Sequence, residues 1–285
     1  MAEILDVKDL SKRYDGNGFA LKHVSFSIPA GSIVGFIGEN GAGKSTTMGS
    51  IIGTLQKDDG DIHIFGDPMD AKDSAIKEDI GVVFDDMNLP YDLTINQLGK
   101  VFKKLYTRWE TDTFAYYIDL FSLPRDKKVG TFSRGMSMKV SVAIALSHQA
   151  RLLILDEATA GLDPSGREEL LEVLQEFVKD GQRGILLSSH ITSDIEKIAD
   201  SLIFIKNGQI ILKVEKEDLL QNYAIFHCTD EECAQIEDDM LVTYKRQNEG
   251  MEVLVSNKEK VPNHVEEQKF TIDDIALLLM RGEKG

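Results

Sequence analysis

The octet Gly38-Glu-Asn-Gly-Ala-Gly-Lys-Ser45 constrains this chain more than any other stretch of it. It fits the template G-x-x-x-x-G-K-[ST] at each fixed position. It also stands in the right context, after the short apolar run Ile33–Ile37 and before a helical pattern over Thr46–Leu55. Backbone N–H groups that turn inward around an anion require glycines where φ is positive or a side chain would collide. A helix that starts at such a loop adds its positive N-terminal end. Lys44 is then a point charge for the β- and γ-phosphates of a nucleotide, and the Ser45 hydroxyl is a hard oxygen ligand for Mg²⁺. The reading is an ATP–Mg²⁺ loop built from Gly38, Glu39, Asn40, Gly41, Ala42, Gly43, Lys44, Ser45 and the adjoining Thr46.

A second element points the same way. Leu152-Leu-Ile-Leu-Asp-Glu157 ends an apolar strand in two carboxylates. Asp156 is expected to hold Mg²⁺, directly or through water. Glu157 is expected to polarise the attacking water as general base, with Lys44 completing the catalytic set.

The chain is strand-rich at first, with alternation over Ile4–Lys8 and Val24–Ile28 and short strands at Asp61–Phe65 and Asp79–Phe84. From Thr94 to Phe121 the period becomes helical: Leu98, Val101, Phe102 and Leu105, then Phe114, Tyr117, Ile118 and Phe121. Trp109 lies between these two helices and is read as packing. Arg151–Leu155, Gly184–Ser189 and Ser201–Ile205 are apolar almost throughout, as in a parallel sheet covered on both faces. Beyond about Asn222 come short strands (Ala224–His227, Met251–Val255) and helices (Glu231–Asp239, Ile272–Leu279).

The net charge of −16 over 285 residues argues against nucleic acid or anionic lipid as partner. From Glu215 onward, 17 acidic and 8 basic residues leave 17 − 8, a net of −9, which marks a solvated C-terminal module. No apolar run approaches the roughly 18–20 residues of a membrane-spanning helix. The N-terminal Met-Ala-Glu-Ile-Leu-Asp-Val-Lys alternates like a strand instead of reading as a signal peptide. A cytosolic setting makes Cys228 and Cys233 two reduced thiols.

A phosphate loop alone does not separate kinases, GTPases, helicases and transporters. Here Phe132-Ser-Arg-Gly-Met136 opens a helix about 20 residues before Asp156, Ala160-Gly-Leu-Asp163 follows the acids, and His190 ends the next strand. Over about residues 1 to 220 this ordered set resembles the nucleotide-binding subunit of an ATP-binding-cassette (ABC) transporter. The resemblance implies an α/β fold, a P-loop NTPase domain of ABC type over 1–220 with a helical subdomain at about 86–150, followed by an accessory α+β domain over 221–285. It implies that Tyr14, 24 residues before Gly38, stacks on adenine. Ser133 and Gly135 match the signature that contacts the γ-phosphate of ATP held by the other subunit. Asp163 matches the loop that touches the opposing site, and His190 the switch histidine that orients the attacking water. A dimer, with a second copy or a paired ATPase subunit, is then required, because each site joins Lys44 of one chain to Ser133 of another. The other partner is an integral-membrane subunit, which places this chain in the cytoplasm, peripheral on the inner face of the membrane.

Three positions depart from the family pattern. Asp85 stands where a glutamine usually contacts Mg²⁺; it is one methylene shorter but still a hard ligand. Arg134 and Met136 replace the signature's glycine and glutamine. These changes, with Phe270-Thr-Ile-Asp-Asp-Ile-Ala-Leu-Leu-Leu, resemble bacterial exporter subunits of the antimicrobial-peptide and lantibiotic branch. The alternatives are a soluble ABC ATPase of the iron–sulfur-assembly kind and an importer subunit. DNA-repair relatives carry coiled coils, and translation-factor relatives two cassettes. This chain has neither.

Overall fold

The computed structural model describes residues 3–14, 20–69, 74–84, 89–189, 191–247, 250–262 and 264–284. Alternating apolar residues make its first strands. β1 (Glu3–Arg13), β2 (Ala20–Pro29), β3 (Ile33–Ile37), helix α1 (Lys44–Ile51), β4 (Asp59–Ile64), β5 (Asp67–Pro68), helix α2 (Ser74–Glu78) and β6 (Ile80–Val83) follow one another. β2, β1, β4 and β5 form an antiparallel sheet in that order. Its Leu5, Val7, Val24 and Phe26 share one core with Phe36 of β3, the Phe26 and Phe36 rings 5.7 Å apart. Helix α1 begins two residues before the sequence reading and stops at Ile51, because Gly53 adopts φ +74° and turns the chain.

The helical stretch divides into α3 (Ile95–Leu105) and α4 (Thr111–Leu120), followed by α5 (Arg134–Leu146). Thr94 starts α3 with a capping box to Gln97. Trp109 packs between Phe102 (5.9 Å) and Phe114 (5.1 Å), as its place between the helices suggested. His148 closes this region. Its imidazole, 1% exposed, stacks on Tyr106 at 4.0 Å, and Nδ1 bonds the Glu78 carbonyl at 3.0 Å.

Burial holds the His148 pKa below the ordinary 6.5. Unfolding returns the ring to water, where it takes up a proton as pH falls through that ordinary value, while the folded chain resists the proton. Stability from this group is therefore complete above about pH 6.5 and declines below it. Denaturant midpoints at pH 7.5 and 5.5 should show a smaller acid loss in His148→Phe than in the unsubstituted chain. An equal loss in both would remove His148 as the cause.

The second half alternates strand and helix: β7 (Leu152–Asp156), α6 (Pro164–Val178), β8 (Gly184–Ser188), α7 (Thr192–Ile198), β9 (Ser201–Lys206), β10 (Gln209–Glu215) and α8 (Lys216–Asn222). The central sheet has the order β10-β9-β3-β8-β7-β6. All its pairs are parallel except β10 on β9. β3, β7 and β8 are buried at each residue, which explains their unbroken apolar runs. The carboxyl ends of β3, β8 and β7, three neighbouring strands, deliver Gly38, Ser188 and Asp156 to one edge of the sheet.

The chain closes with β11 (Ala224–Cys228), α9 (Asp230–Cys233), β12 (Leu241–Arg246), β13 (Met251–Val255), β14 (Glu266–Gln268), α10 (Ile272–Arg281) and β15 (Glu283–Lys284). They form an antiparallel sheet, β14-β11-β13-β12-β15, with α9 and α10. Phe226, Val253 and Val255 face Ile236, Met240 and Val261 in a small core of their own. Ile225 and Leu254, on the opposite face, join the principal core through Ile272, Ile275 and Leu278 of α10. Each such side chain stabilises the fold by about 1.5–3 kcal/mol. The helix expected over Glu231–Asp239 is one turn, Asp230–Cys233, capped by Thr229 and Glu232. Beyond it the chain tightens through Gln235 N–H to Glu232 C=O and Ile236 N–H to Cys233 C=O, which buries Ile236 and leaves Glu237, Asp238 and Asp239 in solvent.

Candidate functional site

The glycine-rich loop leaves β3 and closes on itself through Ala42 N–H to Glu39 C=O at 3.0 Å. Glu39, Asn40 and Gly41 line its exposed rim, whereas Ala42, Gly43 and Lys44 are buried. A Cβ on Gly38 would lie 2.6 Å from the Ile205 carbonyl, and Gly43 has φ +116°, so both positions demand glycine. Gly43 is the N-cap of α1, with no side-chain cap and no acidic residue in the first turn. The helix thus presents its N–H groups and positive end to the loop with nothing of its own to neutralise them.

Lys44, 6% exposed, curls over the loop. Its ammonium donates to the carbonyls of Gly38 (2.7 Å) and Glu39 (3.4 Å) and lies 3.8 Å from Glu157 Oε1. Ser45 Oγ donates to Asp156 Oδ2 at 2.5 Å, and the Ser188 hydroxyl donates to Asp156 Oδ1. Glu157 follows in the left-handed region at φ +56°, a conformation that a residue with a Cβ seldom adopts. Two bonds hold it there: its amide donates to the Ser188 carbonyl (3.1 Å) and hydroxyl (3.2 Å). The turn re-aims the carboxylate from the strand direction toward Lys44. Four expected site residues, Lys44, Ser45, Asp156 and Glu157, therefore meet in one cluster.

Ser188 is the member that the sequence reading passed over. It fixes both acids, and the available signal was a Ser188-Ser189 pair ending a wholly apolar strand beside the P-loop strand. Ser189 extends the network, with Oγ 3.3 Å from Thr159 Oγ1 and accepting from the Ile191 amide at 3.0 Å.

Tyr14 is 39% exposed, and its hydroxyl lies 3.4 Å from Thr46 Oγ1, so its ring stands beside the start of α1. Ser133 is the N-cap of α5 and accepts from Met136 N–H at 3.2 Å. Gly135 packs so closely on the loop after the acids that a Cβ there would sit 2.9 Å from the Gly161 carbonyl. Asp163 is exposed at the same corner, but its carboxylate accepts from Gly166 N–H at 3.0 Å and caps α6. Asp85 and His190 lie outside the described residues.

The donor set suits Mg²⁺ carried by a nucleotide. Among the described residues no group of three or more His, Cys, Asp or Glu is placed to hold a metal. Two hard oxygens, Ser45 Oγ and the Asp156 carboxylate, are joined by one hydrogen bond. Mg²⁺ keeps several waters and takes few protein ligands when phosphate supplies the rest.

Residues 21–160 match the ABC transporter family. The bacitracin transport ATP-binding protein BcrA of Bacillus licheniformis is 31% identical over 83% of this chain and 78% of its own length. The lantibiotic transport ATP-binding protein SrtF of Streptococcus pyogenes is 36% identical over 78% of this chain and 98% of its own. A solved structure described as an ATP binding subunit of an ABC transporter superposes with a TM-score of 0.69 at 31% identity, covering 76% of this chain and 92% of that one. Among the described residues no helix is long and apolar enough to cross a membrane.

Proposed function

Since the chain belongs to the ABC transporter family, we propose that it is the ATP-hydrolysing subunit of an exporter for a peptide antibiotic or a similar compound. It binds and hydrolyses ATP, and it does so for a membrane-spanning partner. The observation that carries the enzymatic reading is one cluster at the carboxyl edge of the sheet: Ser45, Asp156, Ser188 and the Glu157 amide joined by hydrogen bonds, and Lys44 paired with the Glu157 carboxylate. The kinship with BcrA and SrtF supports export.

Each residue then has a role. The loop amides and Lys44 hold the β- and γ-phosphates, and Tyr14 covers the adenine. Ser45 and Asp156 would hold Mg²⁺, which would supply charge neutralisation on the phosphate oxygens. Glu157, aimed by its left-handed backbone, takes the proton of the attacking water, and His190 orients that water. Ser133 and Gly135 meet the γ-phosphate bound by a second subunit, with Asp163 at the same junction. The two chains then share ATP across a two-fold interface, and losing the γ-phosphate loosens it. The division into residues 1–220 for this chemistry and 221–285 as an accessory domain belongs to the same reading, as does a metal-ligand role for Asp85.

The surface between α3 and α4 suits the membrane partner. It is a groove of about 400 Å³ lined by Ile95, Gly99, Phe114 and Ile118, with Lys103 and Arg125 at its rim. Val101 and Leu105 are exposed nearby, at 40% and 64%. Loop-helix contact of this kind would carry dimer closure to the transporter. Affinity purification of the full chain from detergent-solubilised membranes should recover an integral-membrane protein in stoichiometric amount. Recovery with soluble assembly proteins alone would overturn the export reading.

A further inference from the structure

Helix α10 is fastened to the catalytic half of the molecule at both ends. Near its start the Asp273 carboxylate accepts a hydrogen bond from the Thr192 hydroxyl at 3.0 Å. At its finish the Lys206 ammonium donates to the carbonyls of Leu279 (3.3 Å) and Gly282 (3.2 Å), a cation where the helix dipole favours one. Between these clasps Ile272, Ile275 and Leu279 are buried in one core with Ile195, Ile198 and Phe204.

The partner at the first clasp is well placed. Thr192 is the first residue of α7, two positions after His190 and three after Ser189. The Ile191 amide is tied to Ser189 Oγ, and Ser188 beside it holds Asp156 and the Glu157 amide. On its other side α7 is held to α6 by Arg167–Asp194 (3.5 Å) and Lys197–Glu168 (2.5 Å). Helix α7 is therefore held by one contact from the β8 end, two ion pairs from α6 and one hydrogen bond from α10. Asp273 is not needed to cap its own helix, since Thr271 and Asp274 already form the capping box there. Its carboxylate is left to serve another element.

We propose that Asp273 is a positioning residue for hydrolysis: through Thr192 it fixes the entrance of α7, two residues after His190 in the sequence. The C-terminal unit thereby acts on the hydrolytic step and not on ATP binding. This rests on the role given above to His190.

The test is steady-state ATPase kinetics of the full chain. Asp273→Ala and Thr192→Val each lower kcat about fivefold with an unchanged KM for ATP, the scale of one lost hydrogen bond. Asp273→Asn and Thr192→Ser, which keep an acceptor and a hydroxyl, restore kcat. The double substitution is no worse than either single one, because both break the same bond. Thermal unfolding of each variant separates positioning from collapse, and a kcat loss that tracks a fall in melting temperature overturns the proposal. Unchanged kcat in Asp273→Ala, or no recovery in Asp273→Asn, also overturns it. His190→Ala is measured beside them. Full turnover there defeats the functional reading and this inference with it, whereas a loss in His190→Ala with none in Asp273→Ala defeats this inference alone.

Discussion

Glu157→Gln should lower ATP turnover by about 10²–10⁴-fold, the usual worth of a general base, while ATP still binds. The amide has the shape of the carboxylate but cannot take the proton of water. The backbone bonds from Glu157 N–H to Ser188 do not involve the side chain, so the turn at φ +56° persists. Binding should hold or improve, since the substitution removes a negative charge 3.8 Å from the Lys44 ammonium and beside the phosphates. With hydrolysis blocked and binding intact, ATP accumulates between two chains. Size-exclusion chromatography should then give a dimer with ATP and a monomer without it. Hydrolysis at the ordinary rate in this variant would assign the base elsewhere.

Lys44→Met should act at the opposite point, on binding. The stem of Lys44 is buried, and methionine fills that space. Its ammonium, however, is the positive side chain facing Glu157 in the cluster. Losing the charge pair that this ammonium would make with the bound phosphates costs about 2–5 kcal/mol, so affinity for ATP should fall about thirtyfold or more. A fluorescent ATP analogue titrated against the two proteins measures this directly. Affinity within about threefold of the starting value would show that the loop amides hold the phosphates unaided.

The parts of this structure that could be read from sequence are those where one physical demand dominates. An anion loop needs glycine at particular points, and Gly38 and Gly43 meet a backbone carbonyl and a positive φ respectively. Strands buried on both faces must be apolar throughout, so β3, β7 and β8 stood out to within a residue or two. Where two demands compete, the local sequence is ambiguous. β10 (Gln-Ile-Ile-Leu-Lys-Val-Glu) lacks both a clean alternation and an unbroken apolar run, yet Asn207 (φ 50°) and Gly208 (φ 74°) make the Asn-Gly turn that announces a hairpin. Asp163 was read only as an interface residue, although Asp before Pro164 is also a helix start, which its side chain serves. The Ser188-Ser189 pair marks a polar strand end, but what Ser188 does comes from the two acids it meets at the end of a neighbouring strand. The C-terminal residues looked like an appendage by charge, but α10 packs in the principal core, a relation that no local pattern contains.

The order of strands in the central sheet has a consequence for the chain during its synthesis. β3, which bears the nucleotide loop, pairs with neither of its sequence neighbours. Ile33 lies against Ile185 of β8 and Val34 against Ser201 of β9. The antiparallel sheet of β1, β2 and β4 is local and can pair while the ribosome is still at work, whereas β3 gains its first partner only after residue 184 and its second only after residue 200. A nascent chain would therefore carry the whole P-loop sequence for most of its translation without a floor to hold the loop open. Competence to bind ATP would then come late in synthesis, after the strands that flank β3 are made.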